Sequence, residues 1–153
     1  MRLLFSAIDI PPVWLAAHLV LTWGISFVPL PLFGAVGVWL GAGTMLAGVG
    51  LMAAAAFAMV RQRTTVIPKR DPSAMVTTGV FRFSRNPIYL GDVLVLGGAI
   101  LWWDTVLALP LLAVFIWLIQ TRFINDEEAR LTLAFGPEFD LWAQRVRRWF
   151  GRR

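Results

Sequence analysis

The chain contains no cysteine and a single histidine, and only 15% of its 153 residues are charged. The absence of cysteine excludes disulfides, thiolate metal sites and a cysteine nucleophile, and thiol redox chemistry goes with them. No metal site is expected. The scarcity of charge excludes more. With 58% hydrophobic residues and a mean hydropathy of +0.70, a soluble domain of this size would lack the polar surface needed to face water. The composition is that of an integral membrane protein. A net charge of +5 and a pI near 11.3 raise nucleic acid as a partner. The basic residues flank apolar runs, however, where topology and anionic lipid head groups account for them, and nucleic-acid binding is set aside.

In place of a polar surface there are four apolar stretches, at about 12–31, 34–60, 88–103 and 105–124. Each is near the ~20 residues that a helix needs to cross ~30 Å of hydrocarbon. The expected fold is all-α: one polytopic membrane domain over 1–153, with four transmembrane helices, a loop at 61–87 and a helical tail at 125–153. Pro11 and Pro12 open the first helix, and Pro29 and Pro31 lie near its end. Met1 to Ile10 does not read as a cleavable signal. Only Arg2 is basic there, Asp9 interrupts the short apolar run, and no small-residue cleavage site follows.

Basic residues fall at Arg2, six times between Arg61 and Arg85, and seven times from Arg122 onward, which accounts for all 14. The turns around Leu32 and Asp104 have none. The positive-inside rule therefore predicts both termini and the 61–87 loop in the cytoplasm. The membrane expected is a bacterial inner membrane. The second stretch is rich in glycine, with Gly37 and Gly41 in GxxxG spacing and Thr44 and Gly48 repeating it. Small residues let helix backbones approach closely in lipid, so packing within the bundle is the preferred reading. Homodimerisation through the same face stays open, and either a monomer or a homodimer is expected.

Two polar motifs bracket the hairpin of the third and fourth helices. Arg85-Asn86-Pro87-Ile88-Tyr89-Leu90-Gly91 precedes it, and Glu127-Glu128 and Phe135-Gly136 follow it, so both return to one membrane face. Pro87 suits the first turn of the third helix, and Arg85 beside that helix start suits a carboxylate or phosphate. Glu127 and Glu128 supply acceptors for ribose hydroxyls or amino groups. Each motif also has an ordinary explanation. The arginines can anchor a loop to head groups, and Arg122 with Asp126, or Glu127 with Arg130, fits helical ion-pair spacing.

Together these residues resemble the superfamily of isoprenylcysteine carboxyl methyltransferases and phospholipid methyltransferases, in its bacterial form. The resemblance rests on Gly79, Phe81, Arg85 to Gly91, Glu127-Glu128, Phe135-Gly136, Phe139, Trp142 and Arg145-Val146, in order over about 77–149. It implies methyl transfer from S-adenosylmethionine to a membrane-embedded lipid or isoprenoid, on a carboxylate or an amine. It further implies that Arg85, Asn86, Pro87, Tyr89, Gly91, Glu127 and Glu128 enclose the cofactor while the tail folds over it. The histidine of the eukaryotic motif is Asn86 here, which excludes an imidazole base at that position.

Catalytic candidates are Arg122, for orienting a carboxylate acceptor, and Glu128 and Asp92, for holding or deprotonating an amine. Asp92 and His18 are ionisable groups within or near apolar spans, where burial of charge is costly. A hydrogen bond to a neighbouring helix explains Asp92 equally well, and a packed histidine is preferred for His18. Phe135, Phe139, Trp142, Val146 and Trp149 with the terminal arginines also fit an interfacial amphipathic segment. Two non-enzymatic readings compete: a small transporter using Asp92 and His18, and a catalytically silent scaffold. The transporter would be favoured by inverted repeats, and the sequence shows none.

Overall fold

The computed structural model describes residues 9–28, 30–64 and 74–152. Arg2, Pro29, Pro68 and Pro72, and with them residues 65–73 of the expected loop at 61–87, lie outside the described residues. Among those described, regular structure is helical: α1 (Pro11–Ile25), α2 (Gly34–Arg61), α3 (Pro87–Trp102), α4 (Leu109–Ile119), α5 (Asn125–Phe135) and α6 (Pro137–Arg145). Short 3-10 turns occupy Gly79–Arg82 and Val106–Ala108, and a π-helical turn, Gln120–Ile124, joins α4 to α5.

Among the described residues, two helical segments are long and apolar enough to cross a membrane. They are α2, of 28 residues, and the continuous rod Val106–Phe135, of 30. A core helix of a soluble protein would be covered, yet only 11% of the most apolar window of α2 is buried. Trp39, Leu46, Val49 and Phe57 stand exposed along it, an apolar surface suited to lipid. The helices α1 and α3, of 15 and 16 residues, are apolar but shorter. The first apolar stretch, expected over 12–31, is thus helical only as far as Ile25. Ser26 closes it, with its N–H on the Thr22 and Trp23 carbonyls, and prolines at 29 and 31 disfavour helical backbone in the residues before them.

The chain forms two compact units. The first comprises residues 1–49 and 92–118. In it α2 and α3 approach through glycine. A Cβ on Gly41 would lie 2.6 Å from the Gly98 carbonyl oxygen, and one on Gly37 would lie 2.8 Å from that of Leu101. The GxxxG pair therefore serves packing inside the chain. Asp104, in the turn after α3 and at φ +50°, caps the start of α2. Its carboxylate accepts the N–H groups of Leu32 (2.9 Å), Phe33 (2.9 Å) and Gly34 (2.8 Å), satisfying donors that a helix N-terminus leaves unpaired. Those hydrogen bonds, Leu32 first, hold the Asp104 carboxyl below its usual range. His18 is buried on α1, with Nδ1 2.8 Å from the Trp14 carbonyl and its ring edge-on to Phe115, so it is a packed histidine. Asp92, also buried, belongs to this unit.

The second unit comprises residues 50–91 and 119–153. Its apolar centre is Ala55, Val76 and Phe81, against which Met59, Ile88 and Trp142 pack. Gly136, at φ +51° and ψ −125°, breaks the chain between α5 and α6 in a conformation that side-chain-bearing residues rarely adopt, and Pro137 starts α6.

Candidate active site

The site lies in the second unit and is built on the start of α3. Asn86 precedes the helix, its carbonyl accepting the Leu90 N–H at 3.0 Å, and the Ser84 hydroxyl accepts the Asn86 N–H at 3.1 Å. Pro87 fills the first helical position without a donor to waste. This fixed turn carries Arg85 on one side and Tyr89 on the next turn.

Two of the three acidic residues of α5, Glu127 and Glu128, meet that turn. Tyr89, 5% exposed, donates its hydroxyl to Glu127 Oε2 at 2.9 Å. Arg85 Nη2 lies 3.3 Å from Glu128 Oε1. Glu128 has a second cation: Arg148 reaches it through Nη2 to Oε2 at 2.6 Å and Nε to Oε1 at 3.2 Å, the two-point geometry that guanidinium and carboxylate favour. Burial pushes the Glu127 carboxyl above its ordinary value. The Tyr89 hydrogen bond and the charge of Arg130 oppose that shift, and neighbouring Glu128 adds to it. Removing charge from water disfavours the ionised form, and a second carboxylate compounds the effect.

The segment after α6 folds back as a clasp. The Arg147 carbonyl accepts the Arg85 N–H (3.1 Å), the Arg147 N–H donates to the Gly151 carbonyl (2.9 Å), and the Gly151 N–H donates to the Phe83 carbonyl (2.7 Å). Gly151 adopts φ +103°, which favours glycine. The Arg148 carbonyl accepts Asn86 Nδ2 at 3.2 Å and the Ser84 hydroxyl at 3.4 Å. Trp149 Nε1 donates to Gln120 Oε1 in the π-helical turn at 3.3 Å. That turn also buries Phe123, whose ring centroid is 6.4 Å from that of Tyr89. Single π turns are rare and recur at functional sites, because they re-aim side chains within a helix.

Of the residues singled out from sequence, Arg85, Asn86, Tyr89, Glu127 and Glu128 stand in this cluster or directly beside it. Pro87 and Gly91 are buried backbone positions of the same helix start. Arg122 is in the π-helical turn with its side chain exposed. Sequence reasoning missed Arg148 and Ser84. Five arginines crowd the last nine residues, and helical spacing cannot say which one turns inward, because the backbone leaves the helix at Val146.

The fold and site together define a helical protein with apolar segments of membrane-crossing length, whose paired carboxylates face an Arg-Asn-Pro turn beneath a basic C-terminal clasp. Residues 36–138 match the phospholipid methyltransferase family. The chain belongs to that family, part of the superfamily of integral-membrane methyltransferases that also takes in the isoprenylcysteine carboxyl methyltransferases. No curated protein and no solved structure matches it.

Proposed function

We propose that the protein transfers a methyl group from S-adenosylmethionine to a lipid or isoprenoid acceptor in the membrane, on an amine nitrogen or a carboxylate oxygen, at the cytoplasmic face. The observation that carries this reading is the meeting of Arg85 and Tyr89 with Glu128 and Glu127 in a chain of the phospholipid methyltransferase family.

The donor set suits that cofactor. Its amino group and ribose hydroxyls need acceptors, and its carboxylate needs a cation. The Tyr89 hydrogen bond takes one of the roughly four acceptor positions of the Glu127 carboxylate. Arg85 and Arg148 supply guanidinium donors, and Tyr89 and Phe123 supply rings. Glu127 and Glu128 would hold the cofactor from the α5 side, and Arg85 with the Asn86–Gly91 turn from the α3 side. When bound, the cofactor supplies a methyl group already activated on a sulfonium.

The protein's part is then alignment and exclusion of water more than acid–base work. The clasp over Phe83 to Asn86 shields the turn, and Asn86 ties it down by its hydrogen bond to the Arg148 carbonyl. An amine acceptor requires a proton sink, a role that suits Glu128 or Asp92. A carboxylate acceptor requires a cation, a role that suits Arg122 or Arg85.

The proposed topology is one membrane domain with four spans and cytoplasmic termini, in a bacterial inner membrane, as a monomer or homodimer. A 15-residue helix such as α1 rises about 22 Å, and local thinning of the bilayer accommodates that shortfall. A site between membrane helices and an interfacial tail would admit its acceptor sideways from lipid, so long-chain acceptors should far outperform short ones. The test is purified protein in nanodiscs with labelled S-adenosylmethionine, offered an aminophospholipid or a prenylated thiol acid. Label in neither, despite calorimetric binding of S-adenosylhomocysteine, would refute both acceptor classes. No cofactor binding would refute the methyltransferase reading.

A further inference from the structure

The C-terminal end of α2 and the 3-10 turn Gly79–Arg82 enclose a groove of about 540 Å³ that the proposed methyl transfer does not use. Ala54, Phe57 and Ala58 line it toward the middle of α2, and Arg61, Gln62 and Thr78 line it at the end. At ~1.5 Å rise per residue, the lining passes from apolar to polar over about 10 Å. Gln62 Nε2 donates to the Thr78 hydroxyl at 2.9 Å and ties the two walls together. The Arg61 guanidinium lies 5.9 Å from the centroid of the Phe57 ring, itself 64% exposed.

Charge and depth narrow the occupant. Among the described residues, none that lines the groove is acidic, and the charged residues over 54–64 and 74–82 are Arg61, Arg63 and Arg82, all exposed. The described charges around the groove favour an anionic occupant. At ~30 Å³ per water, its volume corresponds to roughly 18 waters, far more than one phosphate fills. The 28 residues of α2 extend about 42 Å against ~30 Å of hydrocarbon, so a helix end that carries arginine emerges at head-group depth.

We propose that this groove binds an anionic glycerophospholipid. Its phosphate meets the Arg61 guanidinium and the second N–H of the Gln62 amide, and its glycerol and first acyl carbons lie along Ala54, Phe57 and Ala58. The site is ancillary and does not depend on the methyl-transfer reading, since none of its residues belongs to the Arg85–Glu128 cluster.

Delipidated protein in detergent, titrated with phosphatidylglycerol or phosphatidylcholine and followed by native mass spectrometry, tests the proposal. Phosphatidylglycerol should bind in preference to phosphatidylcholine and should not be displaced by millimolar inorganic phosphate. Loss of one charge-assisted phosphate contact in Arg61→Gln should weaken it about tenfold. Ala54→Trp, which fills the apolar end from an exposed position, should weaken it as well. Arg152→Gln, at an arginine outside the groove, should not. Helical circular dichroism must match wild type in each variant. Unchanged phosphatidylglycerol affinity in Arg61→Gln, equal binding of the two lipids, or displacement by inorganic phosphate would each overturn the proposal.

Discussion

Arg148 grips Glu128 at two points, 2.6 and 3.2 Å, from a segment 20 residues further along the chain, while Arg85 holds the same carboxylate from the start of α3. One carboxylate thus joins α3, α5 and the C-terminal clasp. Glu128→Gln keeps the shape and removes the charge that both arginines share. S-adenosylhomocysteine binding should weaken by on the order of 1–3 kcal/mol in calorimetry. Arg148→Gln should cost about 1–2 kcal/mol of stability, a figure kept low because its side chain is partly exposed. Wild-type binding by a well-folded Glu128→Gln protein would reduce the residue to a structural ion pair.

The raised Glu127 carboxyl has a consequence for pH. The folded protein keeps a proton that the unfolded chain releases from about 4.5, so stability falls as pH rises from there through the folded value. Glu127→Gln should flatten that part of the profile. Tyr89→Phe removes a hydrogen bond that lowers the pKa and should extend the decline to higher pH. Chemical denaturation between pH 4 and pH 8 compares the three proteins, and parallel curves would exclude this role for Glu127.

Asp104 gives the opposite sign. Its carboxyl is depressed by the α2 N–H groups, so its contribution is complete above the ordinary 3.8 and is lost as pH falls through the lowered folded value. Asp104→Asn tolerates the left-handed backbone and removes only the charge. Its melting temperature should lie below wild type at neutral pH, and the gap should close in acid. A constant gap would assign the effect to packing.

Glycines of the same helix should respond differently to alanine. Gly41→Ala drives a Cβ into α3 backbone atoms within 2.6 Å and should cost about 1–3 kcal/mol. Gly43→Ala meets nothing within 4 Å and should be neutral or stabilising by up to ~1 kcal/mol. Thermal shift assays in detergent separate the two, and equal effects would contradict the α2–α3 contact.

The cysteine-free chain allows a clean test of topology. Single cysteines at Leu32 and Ala134, both exposed, should differ towards an impermeant thiol reagent in intact cells. Leu32→Cys should react and Ala134→Cys should not until the cells are opened. The reverse pattern would invert the proposed orientation.

Much of the site was legible because its residues lie in two short motifs whose separation is set by a helical hairpin. Arg85 and Tyr89, four residues apart, meet two adjacent carboxylates, which needs only that both motifs return to one end of the hairpin. The π-helical turn, the Asp104 cap and Arg148 were not legible. A π turn inserts one residue without a local signature, and Asp104 serves donors about 70 residues away.

Composition and the length of the apolar runs, by themselves, determined that this chain is apolar and helical, because a membrane-length apolar helix must satisfy its own backbone. Only the tertiary structure decided which arginine of the basic tail holds Glu128, which glycines touch another helix and which carboxylate caps α2. Those choices depend on where the chain bends at Asp104, Gly136 and Val146, and a hydrogen bond between distant residues is set by such bends and not by local preference.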